Sequence, residues 1–259
     1  MIRDALTNGC SLILTASLLP VLLVQGLMVK IRTPILPVAS GEPAGLIQGR
    51  GEPVDLVVFG ESTVAGIGVE TFDQALAAQT ASALAKALGR SVRWRAVGRS
   101  GMTARELLAG YLEKGSSSGA DIILISLGVN DVLRMHSPGR YFRDLCLAIA
   151  EVRRLFGDVP VIIAGIAPVG TFPAIPHPLR LVLGLRARVL DRAAGVLSRS
   201  LKKVYHCPGF NPARSDGIGA CFAGDGFHPN PLGYSLMGKR LGDFIAQTVY
   251  SPAEGRKSP

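Results

Sequence analysis

Cysteine is scarce, four residues in 259, and His206-Cys207 has no second Cys/His pair at ligand spacing, which excludes a zinc module. Cys10 and Cys146 lie in apolar stretches, whereas Cys207 and Cys221 flank a loop and are read as free thiols, with one bridge as the alternative. No Gly-Lys-Ser/Thr phosphate loop occurs, and "GIGVE" lacks the third glycine of a dinucleotide fingerprint. Charged residues make up only 18% against 48% hydrophobic, and the mean hydropathy of +0.33 belongs to a packed protein rather than a disordered one. Acidic residues are outnumbered 19 to 28, for a net charge of +9. No helix-turn-helix, finger spacing or basic-aromatic strand accompanies that charge, so no nucleic-acid partner is expected. Instead Arg180, Arg186, Arg188, Arg192, Arg199, Lys202 and Lys203 crowd one predicted helix, where they read as a solvated face. There is no internal repeat.

What is present begins with an uncharged run at residues 10–29, "CSLILTASLLPVLLVQGLMV". Its length is close to the ~20 residues that span a bilayer as helix. Lys30 and Arg32 follow it, so the expectation is a membrane-associated protein with its main domain on the cytoplasmic side, export being the alternative. Pro20, Gln25 and several hydroxyls lower the hydrophobicity of the run and keep open a helix packed against the domain. The chain thus divides into an apolar helix (1–33), a Pro/Gly-rich connector (34–53), a main domain (54–250) and a short tail (251–259).

Within the main domain, strands and helices alternate. Strands are expected at 55–59, 92–97, 122–127 and 159–165, with a short element at Val204-Tyr205. Helices are expected at 72–88, 104–114, 141–156 and 181–202, and from Pro231 onward. Thr103 and Glu106 form a capping-box pattern at the second of these. Such alternation predicts an α/β fold, a three-layer α/β/α sandwich around a parallel sheet. Functional groups in such folds gather beyond the carboxyl ends of the strands.

The loops at that edge carry complementary chemistry. "GEST" follows the first strand, "GRSGMT" the second and "GVND" the third, and "DGFHPN" precedes the last helix. A serine hydroxyl becomes a nucleophile when a histidine takes its proton and a carboxylate orients that histidine. Ser62, His228 and Asp225 supply the three groups, Asp225 and His228 lying three residues apart at a helix entry. The backbone amides of Ser62 and Gly101 and the carboxamide of Asn130 supply donors for an oxyanion. Taken singly these are ordinary turn, glycine and cap residues; their conjunction on one edge in chain order is what points to acyl transfer. An α/β-hydrolase elbow is excluded because Val64 stands where its last glycine belongs.

In these blocks, "FGES", "GRSGMT", "GVND" and "DGFH", over roughly residues 54–250, the chain resembles the SGNH (GDSL-type) hydrolases. The resemblance implies a flavodoxin-like sheet and a serine ester hydrolase needing no cofactor and no metal. It departs from the family at Glu61, where Gly-Glu-Ser replaces the usual Gly-Asp-Ser and sets the carboxylate out by one methylene. The Pro-rich segment 165–184 overhangs the same edge and offers Phe172, Ile175 and Leu179 as substrate-lining candidates, while His177 reads as a loop residue. The partner expected is a small-molecule or lipid ester. Alternatives are a polysaccharide O-deacetylase or acyltransferase with the same triad, and a catalytically silent membrane-tethered binding domain.

Overall fold

The run VDLVVFG is buried on both sides because it forms an inner strand of a sheet covered by helices on each face. The computed structural model describes residues 17–116, 118–209 and 219–250; the expected tail and residues 10–16 of the apolar run, with Cys10, lie outside them. In chain order the strands are β1 (Ala44–Ile47), β2 (Arg50–Gly60), β3 (Arg90–Gly98), β4 (Ile122–Ser126), β5 (Val161–Ala164) and β6 (Val204–Cys207). The main helices are α1 (Leu19–Arg32), α2 (Leu76–Leu88), α3 (Ala104–Leu107), α4 (Tyr111–Lys114), α5 (Val129–Leu133), α6 (Pro138–Phe156), α7 (Leu179–Ser200) and α8 (Pro231–Ile245). The sheet order is β1-β3-β2-β4-β5-β6, parallel except for β1, which pairs antiparallel with β3.

Without the edge strand this is the flavodoxin-like order, in which chain direction switches between the first strand's two neighbours. The loop after β2 therefore opens at the switch point. Side chains alternate as a two-residue period requires: Leu56 and Val58 face one core cluster, Val57 and Phe59 the other. Each such fully buried side chain stabilises the fold by about 1.5–3 kcal/mol. The two fully buried inner strands, IILIS and VIIA, lack polar alternation because helices cover both faces.

Helices α2 and α8 pack together on one face, α6 and α7 on the other. The α2–α8 approach is close enough to demand glycine: a Cβ at Gly238 would lie 2.5 Å from Gln79 Cβ, and one at Gly242 2.6 Å from Ala83 Cβ. Local signals set the helix ends. Ser137 caps α6 by accepting from Arg140 N, Gly89 ends α2 at φ 64°, and the Thr103–Glu106 capping box is formed. The expected single helix over 104–114 is two short ones, broken at Gly110 with φ 80°. Arg186, read as part of a solvated face, is buried and donates to His136 O at 2.8 Å; Arg188 and Arg199 on the same helix are exposed. No disulfide joins Cys207 to Cys221, and burial pushes the Cys207 thiol up to about 11.

Two expectations about the chain's front fail. The Pro/Gly-rich stretch is not only a connector: it supplies edge strand β1 and the start of β2. Membrane association with a cytoplasmic main domain is also overturned, because among the described residues no helix is long and apolar enough to cross a membrane. Helix α1 has 14 residues, roughly 21 Å at 1.5 Å per residue, against the ~30 Å of a hydrocarbon core. The physical reason lies in Gln25, whose carboxamide is used by the domain: Nε2 donates to His177 O at 2.6 Å and Oε1 accepts from Leu179 N at 3.0 Å. The carboxamide thus ties α1, of which only Leu22 is buried, to the domain.

Candidate active site

After β2 the chain turns at once. Glu61 N donates to Ser126 O, Val64 N and Ala65 N to Glu61 O, and Ile67 N to Ser62 O. Tyr234 of α8 locks the turn from below, its hydroxyl donating to Ile67 O at 2.7 Å. These bonds leave Ser62 N with no acceptor among the described residues. Ser62 is 9% exposed and its hydroxyl makes no hydrogen bond among the described residues.

The segment around His228 is equally constrained. Asp225 Oδ1 accepts from Phe227 N at 2.9 Å and His228 N at 3.0 Å, and Oδ2 holds His228 Nδ1 at 2.6 Å. With Nδ1 engaged, Nε2 is the nitrogen left for other chemistry. Asn230 then caps α8, accepting from Gly233 N at 3.0 Å, and Pro231 takes the first helical turn. The Pro-rich loop is strapped to this turn through Ala174 N, which donates to Gly226 O at 3.0 Å. Phe172 packs edge-on against Phe227 (5.0 Å) and Phe222 (5.4 Å).

Ser62 and His228 line one apolar pocket of about 70 Å³, with Phe172, Phe222, Phe227 and Met237 among its walls. No hydrogen bond joins Ser62 Oγ to His228. Gly101 and Asn130 are not among the lining residues; Asn130 reaches the segment of Gly101 through the carbonyl of the next residue, Met102. Gly101 has φ 79°, a conformation glycine adopts without strain; its N–H has no acceptor among the described residues, and its carbonyl accepts from Arg134 Nη2 at 2.9 Å. Asn130 Nδ2 donates to Met102 O at 3.2 Å and, in a closer contact, to Glu61 Oε2. Ile175 and Leu179 line a second cavity, not this pocket. Among the described residues no group of three His, Cys, Asp or Glu is placed to hold a metal ion.

Glu61 is the residue whose role the sequence did not reveal. It is buried, and it accepts from Val129 N through Oε1 at 3.1 Å and from Asn130 N through Oε2 at 3.1 Å, besides Asn130 Nδ2. Burial pushes its carboxyl up from 4.5 to about 7, against the opposing pull of those N–H donors. Asp131, by contrast, serves the neighbouring helix and a histidine, since Oδ2 accepts from Ala104 N at 3.1 Å and Oδ1 holds His136 Nδ1 at 2.8 Å.

The family model for GDSL-like lipases and acylhydrolases matches residues 58–236, well over half of the chain. The chain belongs to the GDSL-like lipase/acylhydrolase family. A GDSL-like esterase of Mycobacterium tuberculosis (strain ATCC 25618 / H37Rv) is 27% identical over 197 residues, 73% of this chain and 60% of that protein. The chain therefore spans less than two thirds of that relative's length. Among solved structures, TesA is similar with TM-score 0.57 and 22% identity, over 74% of this chain and 97% of that one. A Clostridium thermocellum family 3 carbohydrate esterase is similar with TM-score 0.56 and 16% identity, over 76% and 96%. At these identities the likeness is one of fold.

Against the Gly-Asp-Ser usual in the GDSL-like family, the extra methylene of Glu61 is accommodated by reaching across to the first turn of α5. The carboxylate braces the element that carries Asn130, while the backbone of the same residue starts the turn that carries Ser62. A carboxylate beside the serine was visible in the sequence; its partners came from another strand's loop.

Proposed function

We propose that this chain is a serine ester hydrolase in which Ser62 attacks the ester carbonyl. The Oγ–C bond forms as the hydroxyl proton passes to His228 Nε2, while Asp225 holds the ring by Nδ1 and stabilises the imidazolium. The oxyanion is received by the N–H groups of Ser62 and Gly101, with Asn130 Nδ2 as third donor once it exchanges its 3.2 Å bond to Met102 O for the oxyanion. His228 then protonates the departing alkoxide, and a water molecule, deprotonated by the same ring, releases the acid. No step needs a cofactor.

The observation that carries this reading is that His228, held at 2.6 Å by a buried aspartate, lines the same pocket as Ser62. Hydrogen bonds between such groups tighten on substrate binding, so a serine–histidine gap is compatible with the role. The aromatic lining favours an apolar acyl group over the polar groove that polysaccharide O-deacetylation calls for. A fluorophosphonate probe tests the reading: mass spectrometry is expected to find the adduct on Ser62, and an unlabelled protein would favour a silent binding domain.

A further inference from the structure

Phe227 and His228 are a shared wall. On one side they close the pocket that contains Ser62; on the other they line a second cavity of about 710 Å³. The small pocket, about 70 Å³, falls well below the volume of a site for a whole ligand. The second cavity falls in the range of about 300–1,000 Å³ that holds whole ligands. Apart from Lys30, Thr33 and His228, every residue lining it is apolar.

One wall of this cavity is α1, through Leu22, Leu23 and Leu27; the other is the Pro-rich loop and α7, through Ile175, Leu179 and Leu183. The two walls are tied together at the Gln25 carboxamide, which accepts from Leu179 N where α7 has no side-chain cap of its own. The chain leaving α1 is fixed as well: Ser40 N donates to Glu70 O at 2.8 Å and Phe72 N to Ser40 O at 3.1 Å, alongside the segment that follows Ser62. Helix α1 is thus tied to the loop that straps His228, and the chain beyond it to the segment after Ser62.

We propose that this cavity is the acyl-chain site, that α1 is its wall, and that the enzyme consequently selects medium- and long-chain acyl esters over acetyl esters. The proposal rests on the esterase reading. The carbonyl sits between Ser62 and His228, and the chain runs past Phe227 and His228 into the space beneath α1. Each methylene it seats there raises kcat/KM by about fourfold, the transfer free energy of a buried CH₂.

Gly26 offers a clean probe. It lines the cavity, and a Cβ built on it meets nothing within 4 Å, so a side chain at this position starts in open space, and Gly26→Phe improves helix propensity. Full-length wild type is expected to favour p-nitrophenyl decanoate over the acetate by at least about a hundredfold in kcat/KM. Gly26→Phe is expected to lower that ratio about tenfold or more, with Gly26→Leu between the two. A wild-type ratio near one, or a ratio unmoved by both variants, overturns the proposal. If neither ester is hydrolysed and the fluorophosphonate leaves Ser62 unlabelled, the esterase reading fails separately. Displacement of a fluorescent fatty acid by decanoate then decides the cavity: tenfold weaker binding in Gly26→Phe supports it, and no displaceable binding overturns it.

Discussion

Two buried aspartates each hold a histidine by Nδ1, Asp225 with His228 at 2.6 Å and Asp131 with His136 at 2.8 Å. Both aspartates also accept from backbone N–H groups, so the pairs look alike as isolated geometry. They differ in where the ring leads. The His228 side chain is 17% exposed and borders Ser62 and both cavities, whereas the His136 side chain is 9% exposed and lines neither. The carbonyl of His136 accepts from buried Arg186, and its N–H donates to Asp131 O, which makes that pair a clasp between α3, α5 and α7. A carboxylate–imidazole bond orients a ring; catalysis also needs a second nitrogen that opens onto a nucleophile and space for a substrate.

The largest expected effect breaks the comparison on the His228 side. Ser62→Ala and His228→Ala should each reduce kcat for a soluble ester by about 10⁴-fold or more, and the double variant should be no worse than either, because triad members act as a unit. Multiplied losses in the double variant would mean independent roles. Thermal stability should change little in Ser62→Ala, whose hydroxyl makes no hydrogen bond among the described residues.

Next comes Glu61, a third buried carboxyl, which sharpens the comparison through pH. Its folded pKa of about 7 lies above the ordinary 4.5, so the folded state binds the proton more tightly. The associated stability is fully present below pH 4.5 and is lost as pH rises through about 7, a change of about 3 kcal/mol. Urea unfolding of wild type and Glu61→Gln at pH 5 and pH 8 measures it: the wild-type advantage should shrink at the higher pH. A gap that widens instead would mean that the three N–H donors outweigh burial.

The smallest effect tests the His136 side. His136→Ala should lower unfolding free energy by about 1–3 kcal/mol, because Asp131 loses a buried partner, while Ser62 still reacts with the probe. Burial already raises the Asp131 carboxyl, and that variant should raise it further. Loss of probe labelling at unchanged stability would reverse the roles assigned to the two pairs.

Much of the proposed site's inventory is legible from residue order, since Ser62, Gly101, Asn130, Asp225 and His228 sit in short blocks with local turn chemistry of their own. The i, i+3 spacing of Asp225 and His228 is a local geometry, which is why a bond between them can be expected from the sequence, and it forms at 2.6 Å. Asp131 and His136 are also close in sequence, five residues apart, but nothing local says that their bond will be buried. Glu61 was the harder case: its position beside Ser62 was plain, but its partners Val129 and Asn130 meet it only because β2 and β4 are neighbours in the sheet.

The alternation of short apolar runs with amphipathic segments was enough to determine a three-layer sandwich, because each element must bury its own apolar face. Composition left the destination of the first apolar helix undecided. Its length and lack of charge satisfy a bilayer and a protein cavity equally, since both are apolar solvents for leucine. Tertiary structure ties that helix to the domain through polar groups: Gln25 finds an unpaired N–H at Leu179 and a carbonyl at His177, both more than 150 residues away in the chain. Hydrophobic burial is non-directional and can be read from sequence, whereas a hydrogen bond needs two groups in register, and only the fold supplies the register.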